Sequence, residues 1–375
     1  MIHWLARQLS ESLRRRLSEP KLKKAFAVLP DRPAKPDVRP FQPRSAGDQS
    51  PVRVCAVQAE VKLYSSLEKM AADIDRFFSD AQDHQTELIC FPEFFGMLPL
   101  GLLPGVRFGL RMLNKFKKRT PESSQEAKAK SVRKNKEKTG PRQIPPLPEL
   151  LQPFDFLQNR YTELMARFAK RYGMYVSCGT LLAPENGKVY NRHIFLGPDG
   201  SVLGIQDKLH LTETERELGI STGDALSVVP TPIGNIALMV CMDASYFETF
   251  RIAKHLGAHY AIVPIGDMAE FQPWLALRGT QTRVSETGLA AIKSALVSKP
   301  SFPMVFTGRA GIWFPLSSGK KSIEAPQHNS STAVYGEIDL VPQHKNDLPG
   351  CRTNPAFDRR YAEELIKKSK DFTKQ

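Results

Sequence analysis

The tightest constraint in this chain is an apolar run that stops at a cysteine. Residues 233–240 (Ile-Gly-Asn-Ile-Ala-Leu-Met-Val) read as a short buried strand entered through a Gly-Asn turn, and Cys241-Met242-Asp243 ends it. Beyond this corner Tyr246, Phe247, Phe250, Ile252, Ala253 and Leu256 recur at helical spacing, with Gly257 placed as a C-cap. A strand that turns into a helix at a cysteine lifts the thiol out of the sheet and sets it near a helix N-terminus. Backbone N–H groups and the helix dipole there favour the thiolate, the reactive form. The same residue also reads as a small buried hydrophobe, because free cysteine is among the most buried residue types.

Two further stretches bear on that choice. Cys90-Phe91-Pro92-Glu93-Phe94-Phe95 puts a carboxylate at a strand end among aromatics, where desolvation raises its pKa and suits it to general-base work. In Gln206-Asp207-Lys208-Leu209-His210-Leu211-Thr212-Glu213-Thr214-Glu215 a lysine leaves a strand. Taken singly, Glu93 also reads as a turn carboxylate and Lys208 as a solvated strand end. Taken together and in this order, Phe91-Pro92-Glu93, Lys208-Leu209-His210-Leu211 and Cys241-Met242-Asp243 with Glu248 resemble the nitrilase, or carbon–nitrogen hydrolase, superfamily. Gln58, Tyr190-Asn191, Arg251 and Arg283-Val284-Ser285-Glu286 add to the likeness, which covers about 52–340 apart from a basic interruption.

The resemblance implies a four-layer α-β-β-α sandwich, mixed sheets with flanking helices, and hydrolysis of a carbon–nitrogen bond through a thioester. Cys241 would be the nucleophile, Glu93 the general base, and Lys208 with the Met242 backbone N–H the oxyanion site. Glu215 would be a second glutamate of the site, with Glu213 and Glu217 as close alternatives. Tyr190, Asn191, Asp243 and Tyr246 are the candidates to line a substrate pocket. Cys-x-Asp in place of Cys-Trp-Glu favours an amidase-like branch acting on a small or lipophilic amide. The family's usual tyrosine, proline and asparagine are here Met242, Phe247 and Thr287. Members commonly pair through helices beside the cysteine, so a homodimer or higher homo-oligomer is expected. Transfer of the acyl group to an amine shares the first half-reaction, and a Cys-His hydrolase with His210 as base is a third reading.

Organisation and charge set the outer limits. Strands and helices alternate with antiparallel hairpins, which argues for an α/β layered sandwich. The chain divides into a basic amphipathic N-terminal extension with a Pro-rich linker (1–50), a hydrolase body (51–345) and a tail (346–375), with a basic insertion at 97–150. The net charge of +14 is uneven: residues 1–44 carry eleven Lys/Arg against four Asp/Glu, and residues 107–142 thirteen against three. The basicity therefore belongs to appendages rather than the body. Nucleic acid is an unlikely partner, because residues 119–142 lack interleaved aromatics and no binding module is present. The stretch Leu102–Lys118 has a broad apolar face opposed by a basic one and is expected on an anionic membrane surface, with the N-terminal helix as second anchor. Five widely spaced cysteines without a CxxC pair suggest a reducing, cytoplasmic setting, peripheral at a membrane. No histidine spacing suits a metal and no dinucleotide or P-loop fingerprint is present, so no cofactor is expected.

Overall fold

Apart from Arg53, the first strand of the body, β1 (Val52–Glu60), is buried from Val52 to Ala59, as a central strand covered on both faces must be. It pairs in parallel with β2 (Leu88–Cys90) on one side and with β9 (Ala290–Val297) on the other. The computed structural model describes residues 2–30, 48, 50–108, 146–268, 271, 277–299, 302, 304–340 and 360. In chain order the remaining strands are β3 (Tyr175–Glu185), β4 (Lys188–Leu196), β5 (Val202–Asp207), β6 (Val228–Val229), β7 (Ile236–Leu238), β8 (Tyr260–Ile265), β10 (Gly311–Trp313), β11 (Ile323–Glu324) and β12 (Thr332–Ile338). The lateral order is β5-β4-β3-β2-β1-β9-β8-β7-β6, with β10 and β11 beyond β9 and β12 on β1. The sheet is mixed, as expected.

Helices cover the two outer faces. The helices are α1 (Ile2–Arg16), α2 (Glu19–Ala27), α3 (Leu67–Asp83), α4 (Leu147–Leu151), α5 (Phe156–Tyr172), α6 (Glu213–Glu217), α7 (Phe247–His255) and α8 (Thr282–Thr287). In α3 the Ser66 side chain caps the Lys69 N–H, and Met70, Ile74, Phe78 and Ala81 return every three or four residues to the buried side. α5 starts at an Asp155 cap and stops at Gly173, whose φ of +65° a side chain would resist. Their apolar faces meet Val57, Ile89 and Val176 in one outer core. Val54, Ala56, Leu88 and Phe195 meet Leu238, Ile262 and Ile292 in an inner core between the two halves of the sheet. Phe250, Ala253 and Val284 of α7 and α8 close the other outer face over Met239, Val263, Ala291 and Trp313. The α-β-β-α layering follows from these three cores.

The N-terminal segment departs from its reading as a free extension. Leu13, Leu17, Leu22 and Ala25 are buried in the outer core beside Phe78 and Phe168. Arg14 reaches Asp155 at 3.4 Å, and Arg167 of α5 reaches Glu19 at 2.6 Å. The amphipathic stripe thus faces the protein itself. The same holds for the start of the stretch expected on a membrane: Leu102 and Leu103 are buried and Val106 packs on that core. From residue 109 onward that stretch lies outside the described residues, as do the basic tract 119–142, the linker after Pro30 up to residue 47 and all of the tail except Arg360. Among the described residues no helix is long and apolar enough to cross a membrane.

If α1 is part of the body, Leu13→Ala should lower unfolding stability by about 2–5 kcal/mol, the usual cost of emptying a buried leucine site. Chemical denaturation checks this, and a change within about 0.5 kcal/mol would mark α1 as a dispensable surface element.

Candidate active site

Glu93 follows β2 directly, and a local defect in β3 makes room for it. The pairing of β3 with β4 slips between Ser177 and Thr180. At this bulge Gly179 has φ +69°, and a Cβ there would run into the Pro92 carbonyl. Thr180 Oγ1 then accepts the Phe94 N–H at 2.9 Å, while Phe94 itself adopts φ +59°. Ser294 Oγ of β9 donates to the Phe91 carbonyl at 2.8 Å. The carboxylate is thereby held at the sheet end, with only 1 % exposure.

Lys208 arrives from β5, its N–H donating to the Asn191 carbonyl of β4 at 2.9 Å. Its Nζ donates to Glu93 Oε1 at 2.9 Å and lies 2.9 and 2.8 Å from the two oxygens of Glu215. Asn191 Nδ2 donates to the same Glu93 Oε1 at 2.8 Å and to Glu215 Oε1 at 3.0 Å. Glu215 is fixed by a capping box: its Oε2 accepts the N–H and hydroxyl of Thr212, whose Oγ1 accepts the Glu215 N–H. Glu213 and Glu217 point to solvent, so Glu215 is the glutamate of this cluster.

The two carboxylates are driven apart electrostatically. Burial is the largest influence on Glu93 and pushes its pKa up; Lys208 pulls against it, Glu215 adds to the rise, and the net shift is upward. Burial also opposes charge on Glu215, but Lys208, the Thr212 N–H and Asn191 outweigh it and the net shift is downward. For Lys208 burial is outweighed by Glu93, Cys241 and Glu215, so it stays protonated well past its ordinary range. A neighbouring pair of carboxyls with pKa values shifted in opposite directions is an electrostatic arrangement suited to divided acid–base labour.

Cys241 opens a 3-10 turn, Cys241–Ser245, that precedes α7. Its φ of +43° is uncommon for a residue with a side chain and costs roughly 1–3 kcal/mol. Burial and the adjoining Glu93 carboxylate push the thiol pKa up, while Lys208 and the Gly266 backbone pull it back. Met242 follows in the same turn, half-buried. The set Glu93, Lys208, Glu215, Asn191 and Cys241 therefore converges on one place from β2, β5, α6, β4 and the elbow.

Residues 53–287 match the profile of the carbon–nitrogen hydrolase family. The chain belongs to that family. Among its relatives, the "Probable hydrolase YhcX" of Bacillus subtilis is 27% identical over 300 residues, which are 77% of this chain and 50% of that protein. An omega-amidase of Bos taurus is 28% identical over 190 residues, 48% of this chain and 66% of that one. The chain thus spans about half the length of the first and under two thirds of the second. The fold superposes on an amidase from Nesterenkonia sp. AN1, of the nitrilase superfamily, with a TM-score of 0.55 and 14% identity, covering 84% of this chain and 98% of that one. It superposes on the Helicobacter pylori G27 carbon–nitrogen hydrolase with a TM-score of 0.54 and 17% identity, covering 77% and 90%. A variant of the Nesterenkonia enzyme carries the acetamide moiety of fluoroacetamide covalently on its active-site cysteine.

Within this carbon–nitrogen hydrolase fold, some expected pocket residues sit elsewhere. Asp243 is completely buried. Its Oδ1 accepts the Leu209 N–H at 3.1 Å and the His210 N–H at 2.8 Å, and its Oδ2 accepts the Val240 N–H at 2.9 Å. A single carboxylate ties the segment carrying Lys208 to the elbow carrying Cys241. His210 Nδ1 lies 3.0 Å from the same Oδ1 and its ring stacks on Tyr246 at 4.1 Å, so His210 is a brace, and Tyr246 is exposed. Tyr190 shares a face of β4 with Arg192, which lies over its ring at 5.5 Å. Successive strand residues face opposite ways, so Tyr190 turns away from the carboxylates that Asn191 meets. Asn191 is drawn in as a carboxylate anchor rather than a pocket wall. Sequence reasoning missed Gly266 and His193. The first sits where the apolar β8 run ends in Gly-Asp, a signal of the same kind as the Phe-Pro-Glu strand end. His193, kept neutral by burial with its pKa pushed down to about 4, donates from Nδ1 to the Met239 carbonyl and accepts at Nε2 from Ser177. Among the described residues no cluster of His, Cys, Asp and Glu could hold a metal ion.

Asp243→Ala should leave the Val240, Leu209 and His210 donors without an acceptor. A loss of about 1–3 kcal/mol for each buried donor is expected, with Asp243→Asn recovering part of it. Denaturation midpoints of the two variants test this; wild-type stability in the alanine variant would dismiss the brace.

Proposed function

We propose that the chain is an amidase-like hydrolase that cleaves a non-peptide amide C–N bond through a thioester on Cys241. The observation that carries this reading is the buried cluster in which Lys208 and Asn191 both hold Glu93 Oε1, with Cys241 against the same carboxylate. Glu93, its pKa raised by burial, accepts the thiol proton as sulfur attacks the amide carbon. The carbonyl oxygen becomes an oxyanion stabilised by Lys208 and the Met242 N–H. Glu93 returns the proton to the departing nitrogen, the C–N bond breaks, and ammonia or an amine leaves. Water then attacks the thioester carbon, giving its proton to Glu93. The C–S bond breaks, the acid departs and the thiolate recovers the proton. Glu215 stays ionised throughout and keeps Lys208 charged and aimed.

The covalent adduct on the active-site cysteine of the Nesterenkonia variant and the omega-amidase activity named for several relatives support this reading. Exposed Ile252 and Leu256 on α7, beside the elbow, support a homodimer formed on that face.

In amide turnover, Cys241→Ala should abolish activity, and Glu93→Gln and Lys208→Ala should each lower kcat/KM by on the order of a hundredfold or more. Because Lys208 and Asn191 favour ionised Glu93, Asn191→Ala should move the acid limb of the kcat/KM profile to higher pH. Near-normal hydrolysis by Cys241→Ala would overturn the proposal.

A further inference from the structure

Every residue of β9 is buried, and one of them, Lys293, carries a charge. Its neighbours in the strand fix the direction of its side chain. Ile292 belongs to the inner core and Ser294 reaches Phe91, so Lys293 points to the opposite, outer face, with Ala291. That face is closed by the elbow, α7 and α8, and its core includes Met239, Ala244 and Trp313. Val263 of β8 and Gly311 of β10 flank Lys293 in register. The Trp313 indole lies over Gly311, where any Cβ would collide with the ring, and Lys293 Nζ sits 4.2 Å from the ring centroid. The site is built to hold a cation against an aromatic face.

What its side chain lacks is a direct anionic partner. Among the described residues Lys293 Nζ makes no hydrogen bond and no ion pair. The charged or titratable groups acting on it are Glu324 on β11, Cys241 on the elbow, Arg309 ahead of β10 and Asp267 after β8. Glu324 is directed to Arg309 at 4.0 Å. Cys241 is close by topology: β7 pairs with β8 up to Leu238 opposite Ile262, and Met239 N–H donates to the Ile262 carbonyl. The elbow thus begins two strands from Lys293, across β8 and about 10 Å away, with its Met239 and Ala244 in the same outer core as Trp313. Burying an ammonium without a direct partner is costly, and negative charge on a nearby group would offset part of that cost. Lys208 cannot supply that field alone, because two carboxylates already neutralise it.

We propose that Lys293 is a positioning residue that places the Cys241 elbow in a positive field and so stabilises negative charge on the sulfur. The idea rests on Cys241 being the nucleophile proposed above. Burial pushes the Lys293 pKa down to about 8. The cation is therefore present at neutral pH and lost as the pH rises past that value, when its support of the thiolate goes with it.

The test is the rate at which iodoacetamide alkylates Cys241, read by peptide mass spectrometry on the full chain from about pH 6 to about pH 10. Wild type, Lys293→Met and Lys293→Arg are compared, with amide hydrolysis assayed in parallel. At neutral pH the Met variant should react about tenfold more slowly and its profile should move to higher pH, while the Arg variant keeps the wild-type rate. Above about pH 8 the Arg variant should overtake wild type, because guanidinium does not lose its charge. This comparison stands even where the Met variant does not fold. Unchanged alkylation in the Met variant, or identical Arg and wild-type rates above about pH 8, would overturn the inference. Alkylation altered as described, in a wild type that hydrolyses no amide, would sink the proposed activity and leave this inference standing.

Discussion

The buried contact of Lys208 with Glu93 and Glu215 is the interaction on which the arrangement of the site depends. Three ionised side chains withdrawn from water cost several kcal/mol each before compensation. Compensation comes from Asn191, which donates to both carboxylates, and from the Thr212 capping box. Each of these donors sits on a different element, so the ion cluster is stable only when the ends of β2, β4 and β5 and the start of α6 meet correctly. Removing one partner would leave an uncompensated buried charge, which is why this contact specifies geometry more than it adds stability.

A second tie extends this order to the elbow. Asp243 joins the residues after Lys208 to the residues before Cys241 through backbone donors, and His193 holds the Met239 carbonyl from β4. These contacts sustain the left-handed φ of Cys241 that a free chain would relax. The strain keeps the sulfur at the sheet end, beside Glu93, rather than folded into the outer core. The three other described cysteines, Cys55, Cys90 and Cys178, are fully buried within β1, β2 and β3, whereas Cys241 is partly exposed at the elbow. Position on the backbone, not residue type, separates Cys241 from them.

Much of this was legible in the residues. Apolar runs bounded by turn residues located β1, β3, β4 and β12, and Gly257 does end α7, with φ +83°. Glu93, Lys208 and Cys241 stand at strand ends, where an apolar run breaks at a polar residue, and that signal survives in one dimension. The tie made by Asp243 escaped the sequence because two of its backbone N–H partners lie some thirty residues away, which no local pattern reports. Tyr190 was misplaced by a single step of strand alternation. The N-terminal stripe of Leu9, Leu13 and Leu17 was visible as amphipathic, yet a stripe does not say what covers it. Here α4, the turn after it and the segment after Phe94 cover it. Lys293 was passed over because a lysine inside an apolar run looks like an error until Trp313 is seen to shelter it.

The central claim is a covalent acyl group on Cys241, formed beside Glu93. The most direct measurement is rapid acid quench of the full chain during turnover of short aliphatic amides, followed by intact-mass and peptide mass spectrometry. The account predicts a mass increase equal to the acyl group, confined to the peptide containing Cys241 and absent from Cys241→Ala. Amide turnover with no adduct at Cys241, under conditions where acylation outpaces hydrolysis, or an adduct on another residue, would contradict it.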